Sequence, residues 1–128
     1  MENNRVLLIL EGEGATNAGL YSVPGGRCEK GELPADCAAR EAKEEADVEI
    51  AVVREIGNFY SRVGGGCFHG YLFESRVVGG IPRPCGGVCA VRWASLKDIE
   101  QLQSQGLMIS GKLLDSLKMH LAGDFIIG

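Results

Sequence analysis

The sequence predicts an α/β fold: a mixed parallel and antiparallel sheet with helices on both faces. Three observations lead there. The run Arg5 to Leu10 (RVLLIL) is almost continuously apolar and of strand length, as a strand covered on both sides requires. Helix-period segments starting near Pro34 and Ser95 are interleaved with strand-like segments rather than grouped apart from them. Glycine is abundant, at 19 of 128 residues, and clusters at sites such as Gly64 to Gly66 and Gly86-Gly87 without a collagen-like period, which marks hairpins and loops.

Taken in order, Arg5 to Leu10 is the first strand, and Glu11 to Gly19 is a polar, glycine-rich loop. Leu20 to Val23 is a short strand that stops at Pro24. After a charged loop, a helix runs from Pro34 to about Ala46, since proline suits the first helical position and Asp36 favours the positive end of the helix dipole. Its expected packing stripe is Ala35, Ala39, Ala42 and Ala46. Glu41, Glu44 and Glu45 form the adjacent face. Asp36, Arg40 and Lys43 point elsewhere, with Arg40 within reach of Glu44 at i+4. Asp47 ends the helix in the left-handed region.

Val48 to Ile56 reads as a strand, and Asn58 to Val63 with Cys67 to Ser75 as a hairpin through Gly64-Gly65-Gly66. In its second arm His69, Tyr71 and Phe73 share one face. Arg76 to Gly87 is expected as a loop and Val88 to Trp93 as a strand, with Trp93 packing it against a helix. Ser95 and Asp98 are a weak capping-box variant that starts a helix ending at Gly106. Ser110 caps a last helix, Gly111 to Leu121.

Length predicts a single domain, residues 1–128. A net charge of -4 argues against a nucleic-acid partner held through its phosphates. No apolar segment is long enough to span a membrane and no signal-peptide pattern precedes the cysteines, so a cytoplasmic protein with reduced thiols is expected. Cys85-x3-Cys89 lacks the second Cys/His pair that a structural zinc site needs.

The chemistry concentrates on the predicted helix. Glu41, Glu44 and Glu45 are spaced to share a face, where like charges repel and a cation would relieve them. Hard carboxylate oxygens of this kind suit Mg²⁺ or Mn²⁺. A solvated acidic face is the competing account of the same spacing. Arg5 and Arg62 are candidates for gripping phosphate and Tyr21 for stacking a base; Phe59, Tyr60, Phe68 and Phe73 are aromatic alternatives that the core also claims, and His69 is an ordinary strand residue or a substrate contact. Cys37 falls near the acidic stripe, as a packing residue or a soft-metal ligand.

Gly26, Glu32 after five intervening residues, and Arg40-Glu41-Ala42-x-Glu44-Glu45-x-x-Val48 after seven more resemble the Nudix box, G-x5-E-x7-R-E-U-x-E-E-x-G-U, where U is aliphatic. The lead-in Pro24-Gly25-Gly26 and the later Arg92-Trp93-Ala94-Ser95-Leu96 are also like the family, so the resemblance covers essentially the whole chain. It implies a Nudix-like α/β/α sandwich. It implies hydrolysis, with Mg²⁺ or Mn²⁺, of a nucleoside diphosphate linked to another group or of a nucleoside triphosphate. Nucleotide-pool cleaning, cleavage of ADP-ribose or a nucleotide sugar, and nucleotide sensing with little turnover are the alternatives it leaves.

Carried over by position, Glu44 and Glu45 would ligate metal, Glu41 would be a ligand or base, and Arg40 would orient a glutamate. The Gly25 carbonyl would be a further ligand, while Gly26 and Glu32 would shape the loop. A small-molecule nucleotide is the implied partner, and a homodimer the implied assembly. Two features depart from the pattern. Asp47 replaces the box glycine, and no acid lies between Glu74 and Asp98, where many relatives place one. Gly64 stands where ADP-ribose hydrolases tend to have proline, and Tyr60 is too early for the tyrosine of diadenosine-polyphosphate hydrolases.

Overall fold

A computed structural model describes residues 5–14, 18–25, 28–63 and 66–108, with the backbone alone for 59–63 and 66–69. The box residue Gly26, the turn residues Gly64 and Gly65, and the helix expected from Gly111 lie outside the described residues.

Strand β1 (Arg5–Glu11) is the apolar run, and Val6, Leu7, Leu8 and Ile9 are fully buried. Each such side chain contributes roughly 2 kcal/mol by leaving water. Alternation along β1 sorts two cores. Val6 and Leu8 pack with Leu72, Ala94, Ile99 and Leu102, whereas Leu7 packs with Ala42, Ala46 and Val48. Ile99 and Leu102 belong to helix α2 (Leu96–Ser104), and Ala42 and Ala46 to helix α1 (Pro34–Ala46). The expected layering, with a helix on each face, follows.

β1 is the middle strand of a three-stranded antiparallel sheet, between β2 (Tyr21–Ser22) and β5 (Val88–Ser95). Strands β3 (Glu49–Val63) and β4 (Gly66–Gly79) form a second, two-stranded antiparallel sheet. Among the described residues, parallel pairing enters at one bridge, Tyr21 to Met108.

Four local expectations are corrected. β3 is one strand where two were expected, because bulges at Glu49/Ile50, Val52/Arg54 and Glu55/Gly57 absorb the irregular residues and Gly57 does not break the ladder. β4 continues through Arg76–Gly79, expected as loop, because Arg76 and Val77 find partners in Ala51 and Ile50 and Val77 packs on the α1 core. On α1 the row Ala38, Ala42 and Ala46 is buried, with Cys37 beside it, while Ala35 and Ala39 are only half-buried; the helix is turned so that this row meets the sheet. Trp93 is 37% exposed, and its neighbour Ala94 is the β5 residue packed on α2.

The helix ends carry their own bonding. Around α2, the Asp98 N–H donates to Ser95 Oγ (3.2 Å) and the Ser95 N–H to Asp98 Oδ2 (3.0 Å), a complete capping box. α2 ends at Ser104, shortly before Gly106 at φ 73. At the end of α1, Asp47 adopts φ 55 and ψ 39, and its N–H donates to the Lys43 carbonyl (3.1 Å). The segment after β4 returns to this end: the Arg83 N–H donates to the Ala46 carbonyl (2.9 Å) and the Cys85 N–H to the Glu45 carbonyl (3.1 Å). Carbonyls that a helix end leaves unpaired are thereby satisfied. No described helix is long and apolar enough to cross a membrane.

Asp47 also binds Arg83 Nε (2.6 Å) and Lys43 Nζ (3.2 Å), and the Arg83 hydrogen bond, ahead of Lys43, holds its carboxyl below the usual range. Replacing Asp47 by glycine removes the left-handed strain of a residue with a Cβ and, with it, two exposed ion pairs, so the two effects oppose each other. Asp47→Gly is therefore expected to be close to neutral, whereas Asp47→Ala keeps the strain, loses the pairs and lowers stability. Urea denaturation midpoints of the three chains check this.

Candidate active site

The box helix meets its preceding loop through Arg40. Arg40 Nε donates to Glu32 Oε2 (2.9 Å) and Nη2 to Glu32 Oε1 (3.0 Å), a two-pronged pair. Its Nη1 contacts both Glu41 Oε1 and Glu44 Oε2 at 3.0 Å. Arg40 reaches Glu44 at i+4 as expected, and it also gathers Glu41 and Glu32, because one long guanidinium can serve three carboxylates from a single helix position. The hydrogen bond from Arg40 is the main reason the Glu32 carboxyl is held below its ordinary value, and that with Glu32 raises Arg40 further. Glu32 also accepts from the Glu29 N–H (2.9 Å), and the Glu32 N–H donates to the Glu29 carbonyl (2.9 Å), so the loop is tied to itself and to the helix.

Glu45 turns the other way. Its Oε1 accepts from the Gly25 N–H at 2.7 Å, joining the helix to the loop that follows β2. Burial pushes the Glu45 carboxyl up to about 7; the Gly25 hydrogen bond opposes this, and the charges of Glu41, Glu11 and Glu44 add to it. Glu41 is raised as well, by burial first, with Arg40 opposing. The acidic face is therefore not freely solvated: the Glu41 side chain is 13% exposed against 55% for Glu44.

Glu11, which the sequence reading did not single out, acts on Glu45 through its charge. It ends β1 and has the parity of Leu7, which faces α1. That parity was legible as a signal: an acid closing a buried strand on the helix side. The acid-free segment Pro84 to Cys89 lies alongside. Its Gly86 passes so close that a Cβ would sit 2.9 Å from the Glu44 carbonyl, and the Gly12 N–H donates to the Gly87 carbonyl (3.0 Å). Close backbone approach occupies the place where an acid was sought.

Other expected residues lie elsewhere. Arg5 is at the opposite end of β1, six residues or roughly 20 Å from Glu11. Its charge acts on Asp98, whose carboxyl the Ser95 backbone bond chiefly holds low. Tyr21 packs against the α2-side core, with Arg92 Cζ 5.8 Å from its ring centre. The Tyr71 and Phe73 rings do share a face, stacked at 6.3 Å. The side chains of Arg62 and His69 lie outside the described residues.

The expectation of reduced thiols is corrected at one pair. Cys28 and Cys37 are joined as a disulfide, with Cα atoms 5.2 Å apart, because the loop before α1 folds back onto its first turns. Cys85 and Cys89 are free.

Residues 1–116 match the family model of the NUDIX domain. The chain belongs to the Nudix family. Solved Nudix structures share its fold. A Nudix hydrolase from Nitrosomonas europaea superposes with a TM-score of 0.77 at 21% identity, covering 91% of this chain and 80% of that one. A MutT Nudix hydrolase from Burkholderia pseudomallei gives 0.71 at 22% identity, covering 94% and 91%. A C. elegans Ap4A hydrolase gives 0.69 at 15% identity, covering 88% and 80%. No curated protein matches the sequence. As a Nudix domain the chain is a pyrophosphohydrolase in class. Nudix hydrolases use divalent cations, and carboxylates crowded on α1, one of them penalised as an ion, are a donor set of that kind.

Because Glu45 has a higher pKa in the fold than its ordinary 4.5, the folded chain keeps a proton that the unfolded chain has lost. The stability associated with it is fully present below about pH 4.5 and is lost as pH rises through about 7. In chelator-treated protein, Glu45→Gln is expected to flatten the fall in Tm between pH 5 and pH 8 and to add about 2 kcal/mol at pH 8. Calorimetry across that pH range measures it; an unchanged slope in the variant contradicts the assignment.

Proposed function

We propose that the protein hydrolyses a phosphoanhydride in a nucleoside diphosphate linked to another group, or in a nucleoside triphosphate, using Mg²⁺ or Mn²⁺. The observation that carries this is the acidic face of α1, where Glu45 is penalised as an ion while Glu41 and Glu44 are drawn together by Arg40. Such a face stores electrostatic cost that a cation relieves.

In this reading Glu44 and Glu45 hold the cation, with the Gly25 carbonyl beside them and Glu11 as an added acid. When bound, the cation neutralises the diphosphate and makes a water easier to deprotonate. Glu41, shielded and raised by burial, would be the group that takes a proton from an attacking water. Arg40 keeps Glu41 and Glu44 in register, and Glu32 keeps Arg40 in place. The Gly25 N–H fixes the orientation of the Glu45 carboxylate. The absence of an acid between Glu74 and Asp98 is then no obstacle, since Glu41 and Glu11 supply acids from the box and from β1.

Nucleotide-pool cleaning is the role proposed first. Fold neighbours carrying a MutT label and an Ap4A hydrolase label, at 22% and 15% identity, support the nucleotide class without choosing the leaving group.

Incubation with nucleoside triphosphates, nucleotide sugars, ADP-ribose and dinucleoside polyphosphates, in Mg²⁺ or Mn²⁺, is expected to yield a nucleoside monophosphate from at least one class. A Glu44→Gln/Glu45→Gln chain should lose roughly 100-fold or more of that activity. Nucleotide binding without product from any substrate would favour a sensing protein. Full activity in the double variant would remove the carboxylates from the mechanism.

A further inference from the structure

A second group of ligand-type side chains stands apart from the acidic face. The sulfurs of Cys28 and Cys37 and the carboxylate of Glu32 present ligand atoms that all lie within 4.8 Å of one another. Among the described residues this is the one group of three or more Cys, His, Asp or Glu side chains drawn so close. Cys28 is exposed on the loop, and Cys37 is 3% exposed on α1. We propose that reduction of the Cys28–Cys37 disulfide turns Cys28, Glu32 and Cys37 into a site for a thiophilic divalent cation of the zinc class, separate from the hard-metal face of α1.

The donor chemistry selects the cation. Two thiolates and one carboxylate suit zinc, whereas Mg²⁺ and Mn²⁺ prefer oxygen throughout. Three protein ligands leave the fourth tetrahedral position to water, and the exposure of Cys28 provides access for it. The framework holds without the disulfide. Cys37 is fixed by the helix and its N–H donates to the Leu33 carbonyl (2.9 Å), while Glu32 is fixed by the Glu29 turn. Arg40 Nη2 lies 3.9 Å from Cys37 Sγ, so a donor already faces that sulfur. Tetrahedral zinc would set the two sulfurs about 3.8 Å apart, a small opening for two residues already within disulfide reach.

The steps balance. A phosphine reductant breaks the S–S bond, takes the oxygen of a water as phosphine oxide and leaves two thiols, a transfer of two electrons and two protons. The incoming cation displaces the two thiol protons to buffer. Glu32 is also the two-pronged partner of Arg40, so a cation that takes this carboxylate competes with Arg40 for it.

The test uses the full chain and Co²⁺ as a spectroscopic stand-in for zinc. After phosphine reduction and anaerobic desalting, one equivalent of Co²⁺ is expected to produce a near-ultraviolet thiolate charge-transfer band that Zn²⁺ displaces and excess Mg²⁺ does not. The oxidised chain should show no band. Cys28→Ser should lose it, and a Cys67→Ser/Cys85→Ser/Cys89→Ser chain should keep it, with circular dichroism confirming each fold. In reduced wild-type protein, Zn²⁺ should slow iodoacetamide alkylation of Cys28 and Cys37 and leave Cys85 and Cys89 unprotected, read by peptide mass. A band that survives in Cys28→Ser or in the oxidised chain, no band in reduced wild-type protein, or protection confined to Cys85 and Cys89 overturns the proposal. None of these readouts depends on hydrolysis, so failure here and failure of the hydrolase reading are distinguishable.

Discussion

The two-pronged pair between Arg40 and Glu32 is the constraint on which the site depends. It spans eight residues and fixes the loop before α1 to the helix with two parallel hydrogen bonds, 2.9 and 3.0 Å long. A planar guanidinium has donors left over, and here they go to Glu41 and Glu44. One positive charge thus sets the position of three negative ones. Without it, acids on consecutive turns would spread to reduce repulsion. Lysine, a point charge on a flexible stem, could not hold Glu32 by both oxygens while reaching the other two.

The remaining acid is organised by a different element. Glu45 is bound to Gly25, at the end of the connection that leaves β2, and feels Glu11 from the end of β1. The two arms of the site therefore hang on different parts of the scaffold. The segment from Arg83 to Gly87 locks the junction by donating to the last carbonyls of α1 and by meeting Gly12. Gly86 is a consequence of that closeness, since a Cβ there would meet the Glu44 carbonyl.

Much of this was legible in the sequence where local rules and tertiary packing agree. The α1 boundaries follow from Pro34 at its first position and Asp47 just past its end, and β1 follows from an apolar run with no polar face. The pairing of Glu32 with Arg40 was implied only as loop bracing. What was not legible depends on the path of the chain through space. The Cys28–Cys37 bond requires knowing that the loop folds back. The misplacement of Arg5 requires knowing which end of β1 meets the box. Gly57 reads as a break in sequence, yet bulges carry β3 through it. Trp93 and Ala94 could not be ranked, because β5 is apolar on both faces until a helix claims one of them.

The fully buried residues beneath the acidic face, Ala42 and Ala46, are the smallest side chains that still have a Cβ. They set how closely α1 lies on Leu7 and the sheet. A single added methyl group at either position would lift the helix by a fraction of an ångström, and the carboxylates, riding on the adjacent face, would move with it relative to Gly25. Sites of this kind tolerate displacements of only about 0.5 Å. The range of sequences open to this protein is therefore narrowed by two residues without functional groups, and mutational drift in its chemistry can begin at positions that carry none.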